Sequence, residues 1–167
     1  EVVFLRATGF LNEIFLVDRM QRLLAAKRKI VAFDIKSSTV LCENARTEDC
    51  FDVAVAAYLL DPLRAEYSYD EVLLEYLQTT SVVKNDLPKD LSLTEAENLW
   101  EEKGLQLCCA QALAAIRLYP VLEEKLKKQG MDTLFYTIGM PLVFTLYRME
   151  KRGICADKGA LLLPPAQ

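Results

Sequence analysis

An α/β domain is the fold class this sequence predicts, and three observations predict it. Ile30–Phe33 is an apolar run of strand length, followed at Asp34 by a charged turn that opens a helix-length segment. Val53–Leu60 is an almost wholly apolar helix-length run, with Asp52 placed to cap it. Asp61-Pro62 stops that run, because the residue before proline is pushed out of the helical region. The third observation is a helix-rich C-terminal half, where Thr94 and Glu97 carry a capping signature at the head of a long helical segment.

Taken in order, Val2–Ala7 and Glu13–Val17 flank the turn residues Thr8-Gly9 and Asn12 and predict an antiparallel hairpin. Asp18 is placed to cap a short helix through Ala26, with Met20, Leu23 and Leu24 facing inward. Strand Ile30–Phe33 and a helix over Lys36–Glu43 follow, and Phe51 is expected in the core. If the helix at Val53–Leu60 is fully buried, replacing Tyr58 or Leu59 with Ala costs about 2–5 kcal/mol. Ser68 and Glu71 have capping-box spacing before a helix that buries Val72, Leu73, Tyr76 and Leu77. Residues 79–92 read as an exposed loop.

In the long helix the candidate buried positions are Leu99, Trp100, Leu107, Leu113, Ile116 and Leu118. Gly104 is a point of kinking or division, and Pro120 bends the helix or restarts a turn. Gly130 offers a left-handed C-terminal cap. A last helix runs from Asp132 to Arg152, bent near Pro141 and ended by Gly153, with Ile154–Asp157 extended and Pro164-Pro165 irregular.

The 167 residues suffice for one domain with a sizeable core, and 52% of them are hydrophobic without any run of membrane-spanning length. A net charge of −4 argues against a dedicated nucleic-acid-binding domain, which usually carries a basic face. The basic clusters at Arg19–Lys29 and Lys125–Lys128 read as solvated helix faces and ends. None of the five cysteines, Cys42, Cys50, Cys108, Cys109 and Cys155, stands in a CxxC pair, so no zinc spacing is present and a reducing, cytoplasmic setting is expected. Histidine is absent, which excludes Ser-His and Cys-His nucleophiles and any chemistry not run on carboxylates. The chain opens on Glu1 against an apolar run and reads as an excised piece of a longer sequence.

Three blocks carry a family resemblance: AFDIK at 32–36, CFDVAVAAYLLDP at 50–62, and ALAAIRLYPVLEEKLKKQGM through MPLVFTLYRMEKRGICAD at 112–157. In this order and spacing the chain resembles the 3′–5′ exonuclease-type domain of bacterial DNA polymerase I, a family A polymerase. The resemblance covers most of residues 12–157, and its last block is the most specific. It implies an RNase H-like fold, a mixed β-sheet flanked by several helices. It also implies two parts, an exonuclease-like domain over 1–157 and a connection toward the polymerase thumb, or a tail, over 158–167.

Active members of that family hold two divalent metals about 4 Å apart on four carboxylates, one generating the hydroxide and the other stabilising the leaving oxygen. Their second motif, roughly Asn-x-Lys-x-Asp, matches Asp34-Ile35-Lys36-Ser37-Ser38, so the ligand position falls on Ser38. Asp34 then occupies a position that is normally Asn and is not itself a ligand. The third motif, Tyr-x-x-x-Asp, matches Leu107 and Gln111. The first, Asp-x-Glu, lies upstream of Glu1 or else on Val2–Ala7, where residues such as Leu5 and Ala7 would fill it. Ser38, Leu107 and Gln111 are therefore degenerate exonuclease positions, and no catalytic, cofactor-binding or metal-binding residue is expected in this chain.

The resemblance thus implies a vestigial, non-catalytic domain that supports the polymerase domain of the same parent chain. DNA would be met through the parent polymerase, which would use Mg²⁺, and no membrane is involved. The alternative is an active exonuclease with ligands missing or outside this chain; a further one is a stand-alone interaction module. Asp52 reads as a cap, Asp61 as a turn residue, and Lys36 as a solvated lysine before a phosphate contact. Phe135, Tyr136, Phe144 and Tyr147 read as core or interdomain packing.

Overall fold

The computed structural model describes residues 9, 11–64, 66–79 and 93–153, with side chains in the long helix described at 106 and from 108 onward. The candidate strand at 2–7, the loop at 80–92 and the stretch from 154 on lie outside the described residues, as do the side chains of Leu99, Trp100 and Leu107.

Glu13–Val17 is not a strand but the start of helix α1, Glu13–Ala25. Asn12 decides this: its Oδ1 accepts the Phe15 N–H at 2.8 Å, an N-cap rather than a turn between strands. Asp18 therefore lies within the helix, paired with Arg22 one turn on, and Leu24 is buried while Met20 and Leu23 are exposed.

Strand β1, Ile30–Ala32, pairs in parallel with β2, Cys50–Asp52, with Ile30 opposite Cys50, Val31 opposite Phe51 and Ala32 opposite Asp52. A parallel pair needs a crossover of a dozen or more residues. Here a 3-10 turn at Ile35–Ser37, helix α2 at Thr39–Asn44 and a second 3-10 turn at Thr47–Asp49 supply it. The single helix predicted over Lys36–Glu43 is thus divided, because Ser38 is extended and caps α2. β2 had no signal of its own, its three residues being too few to show alternation.

Helix α3, Val53–Leu60, has the predicted limits. Its burial is one-sided: Val53, Ala56 and Ala57 are inside, whereas Tyr58 is exposed and stacks edge-on against Tyr67. The expected core role of Tyr58 is therefore incorrect. Helix α4, Tyr69–Leu77, buries Val72 and Leu73 and half-buries Tyr76 and Leu77; Ser68 occupies its N-cap position without a side-chain bond.

Helix α5 runs unbroken from Leu93 to Lys128, through both Gly104 and Pro120. Pro120 sits on the exposed side, where water can take the carbonyl that proline leaves unbonded. Its inward face carries Ala114, Ala115, Leu118, Leu122 and Leu126, while Leu113 and Ile116 point outward. Those two were misplaced by about a third of a turn, since apolar residues on both sides of Ala114-Ala115 blur the 3.6-residue period. Gly130, at φ +68°, ends α5 with paired bonds from Gly130 N–H to Lys127 O and from Met131 N–H to Leu126 O.

The last segment is continuous but changes pitch: one turn of helix α6 at Asp132–Leu134, a π turn at Phe135–Gly139, then helix α7 at Met140–Arg152. Widening to i→i+5 bonding in the turn before Pro141 makes room for its ring. Gly139 lets this turn approach α3; a Cβ there would stand 3.3 Å from Val55 Cγ1.

The core gathers these pieces. Phe51 on β2 lies 4.7 Å from Phe135 and 4.9 Å from Tyr119, ring centre to ring centre. α5 packs on α3, α4 and β1, and α7 on β2 and both 3-10 turns. The architecture is helix-rich with a two-stranded parallel sheet, compatible with the α/β class. No antiparallel strand of a mixed sheet is present among the described residues.

Candidate functional site

The chemistry-bearing residues converge on the turn between β1 and α2. Asp34 takes up the left-handed conformation at φ +57°, which Asp and Asn tolerate better than other non-glycine residues. Its carbonyl accepts from the Ser37 N–H and hydroxyl. The backbone at this position thus takes a shape that Asp and Asn tolerate.

Beneath the turn lies Asp52, 1% exposed and the one charged side chain buried among the described residues. Its Oδ1 accepts the N–H groups of Ala54 at 2.9 Å, Asp34 at 3.2 Å and Val55 at 3.3 Å; Oδ2 accepts that of Ile35 at 2.6 Å. One carboxylate therefore starts α3 and holds the far end of the β1 turn. Burial pushes the Asp52 carboxyl above the usual carboxylate range, and the four N–H donors restrain the rise. With its oxygens committed to backbone donors, Asp52 is a structural acceptor.

Ser38 stands at the mouth of α2, half-buried, and its hydroxyl accepts the Leu41 N–H at 3.4 Å. It shares a mostly apolar groove of about 390 Å³ between α1 and α2 with Glu13, Leu16, Val17 and Met20. Gln111 is exposed on α5 and is not part of that groove; the Leu107 side chain is outside the described residues. Lys36 is neither free nor poised for phosphate, since its Nζ pairs with Glu150 Oε1 on α7 at 2.6 Å. A second tie from α7 to α2 joins Lys151 and Tyr147 to Glu43, and the Lys151 and Tyr147 bonds hold the Glu43 carboxyl below its usual range.

Two dications need dense negative charge. A hydroxyl engaged in a helix cap and an exposed carboxamide do not provide it. Among the described residues no three His, Cys, Asp or Glu side chains come together as a ligand set. The donors present at these positions thus do not fit the metal pair.

Two of the thiols, Cys42 and Cys50, are buried and offer no reactive alternative. Burial pushes Cys50 up to about 11 and raises Cys42, whose Sγ donates to the Ile35 carbonyl at 3.3 Å. Sequence reasoning missed one polar cluster. Tyr119 and Tyr136 both donate to Glu123 Oε1, at 3.0 and 3.1 Å, and Lys29 lies over both rings. The i, i+4 spacing of Tyr119 and Glu123 was its only local signal. It pins the start of β1 to α5 and the π turn. No helix among the described residues is long and apolar enough to cross a membrane.

No protein-family model matches the chain. Among curated proteins it is 26% identical over 158 residues to DNA polymerase I of Caldicellulosiruptor bescii, covering 90% of this chain and 16% of the relative. It is 32% identical over 109 residues to DNA polymerase I of Treponema pallidum, covering 65% of the chain and 11% of the relative. DNA polymerase I of Borreliella burgdorferi is 25% identical over 158 residues, with 89% and 16% covered. The chain therefore spans about a sixth or less of the length of these relatives. By these matches, the chain is a DNA polymerase I-related domain.

Proposed function

We propose that this chain is a non-catalytic, 3′–5′ exonuclease-like domain that supports a DNA-directed DNA polymerase within a longer parent chain. Its fold in this reading is RNase H-like, with the β1–α2–β2 crossover as part of a larger mixed sheet. Residues 1–157 form the domain and 158–167 the connection to the polymerase or a tail. The parent copies DNA with Mg²⁺ in replication and repair in the cytoplasm, and DNA is met through the parent polymerase.

The observation that carries the proposal is Ser38: where an active exonuclease needs a carboxylate, a neutral hydroxyl caps α2 instead. Gln111 supports the same reading, as does the commitment of Asp52 and Lys36 to internal partners. What the residues retain is packing: the buried Phe51–Phe135 contact and the Asp52 bonds are those of a rigid buttress.

The test is incubation of the parent protein with single-stranded DNA and Mg²⁺ or Mn²⁺ at high enzyme concentration, alongside a primer-extension assay. Extension without 3′ shortening is expected. Chelator-sensitive shortening overturns the non-catalytic reading in favour of an active exonuclease. Absence of extension removes the polymerase reading instead. A crystal soaked in Mn²⁺ gives a second readout, and well-occupied density between Ser38 and Gln111 counts against the proposal.

A further inference from the structure

The outer face of the last helical segment carries a row of aliphatic side chains. Leu134, Ile138, Leu142, Leu146 and Met149 follow one another at intervals of three or four residues and are 37%, 57%, 49%, 39% and 61% exposed. From Leu134 to Met149 there are fifteen steps, which at about 1.5 Å each extend roughly 22 Å. The aromatic residues considered for interdomain packing are not in this row: Phe135 and Phe144 are core, and Tyr136 and Tyr147 pack against it.

The helix cannot turn to hide the row. Met140, Val143 and Phe144 anchor its opposite face in the core. Lys36–Glu150 and Lys151–Glu43 fasten its C-terminal turns to the segment around α2. A contiguous exposed apolar strip on a fixed helix marks an interface.

We infer that this row is the docking face for another domain of the same parent chain. The inference rests on the proposed reading of the chain as a supporting domain. Two observations select that occupant. The matches take up only 11–16% of the three relatives, so a tethered partner at high effective concentration accompanies the corresponding region in each of them. The row also ends beside Arg148 and Arg152, which with Thr145 and Met149 line a groove of about 300 Å³. The fitting surface is therefore apolar with carboxylates at one edge. Single-stranded nucleic acid binds through aromatic stacking platforms, and this aliphatic row has none.

Cysteine labelling in the full-length parent chain tests this. Leu142→Cys and Met149→Cys are compared with Ile116→Cys, an exposed reference on α5, with modified peptides separated by mass from the native cysteines. Labelling about tenfold slower at 142 and 149 than at 116, at every protein concentration, is expected. Equal rates overturn the docking face. Protection that disappears on dilution assigns it to a second copy, and protection that requires added DNA assigns it to nucleic acid; either removes the proposed occupant. The supporting-domain reading stands or falls separately, on the DNA-shortening assay.

Discussion

Ser38 and Asp52 each start a helix as a side-chain acceptor, and comparing the two shows where the polar chemistry of this domain has gone. Ser38 before α2 and Asp52 before α3 have almost the same backbone, φ −100°, ψ 104° against φ −94°, ψ 117°. The hydroxyl receives one N–H at 3.4 Å and stays half-buried. The carboxylate receives four and is sealed in the core. At Ser38 the residue does a local job that Ser, Asp or Asn performs about equally well. Only the carboxylate at Asp52 has enough acceptor positions to join two segments 17 residues apart, Ile35 and Asp52 itself. Negative charge is thus present where it joins two segments of the fold, and Ser38, a local cap, carries none.

The largest expected effect is at Asp52. Asp52→Ala removes the α3 cap and strands buried N–H groups of the β1 turn, at a cost of about 3–4 kcal/mol in denaturant unfolding. Asp52→Asn keeps one acceptor and places an amide donor against another, costing about 2 kcal/mol. Loss below about 1 kcal/mol for both would mean that Asp52 is an ordinary cap like Ser38. Ser38→Ala is expected to cost about 0.5–1 kcal/mol by the same measurement.

Ser38→Asp sharpens the comparison from the other side. As an N-cap it should leave stability within about 0.5 kcal/mol, and in the parent chain it should restore no DNA shortening, because Gln111 remains neutral. Digestion by the single variant would show that the remaining ligands are in place.

The smallest effect belongs to the surface tie that holds α7 against α2. The Lys151 and Tyr147 bonds depress the Glu43 carboxyl below its ordinary value of 4.5. A depressed carboxyl contributes stability above the unfolded value and loses it as pH falls through the folded one. Glu43→Gln should therefore lower the melting temperature slightly near pH 6, with the difference closing toward about pH 3. A difference that persists at low pH would assign the effect to lost packing.

Strong local signals were legible and weak ones were not. Val53–Leu60 kept its limits because Asp52 caps it and Asp61-Pro62 ends it. Gly130 and Gly153, at φ +68° and +72°, end their helices as read. The hairpin expectation failed at Glu13–Val17, where Asn12 served equally well as a turn residue or a cap, and the choice fell to the cap. At the candidate site, the neutrality of Ser38 and Gln111 was visible in the residues, but the destinations of their neighbours were not. Lys36 finds Glu150 across 114 residues, and Lys29 meets Tyr136 across 107.

The sequence alone determined the α3 unit, the helix-rich second half, the neutrality of Ser38 and Gln111 and the resemblance to DNA polymerase I. The first three are set locally by capping, proline geometry or side-chain type, and the resemblance by three blocks spread over residues 32–157. The tertiary structure decided the pairing of β1 with β2, the inward face of α5 and the outward aliphatic row on α7. It also decided that Asp52 bridges two turns. The physical reason is range: caps and stops act within one helical turn. Which face is buried, and which distant N–H a carboxylate receives, depends on elements brought together only when the chain closes on its core.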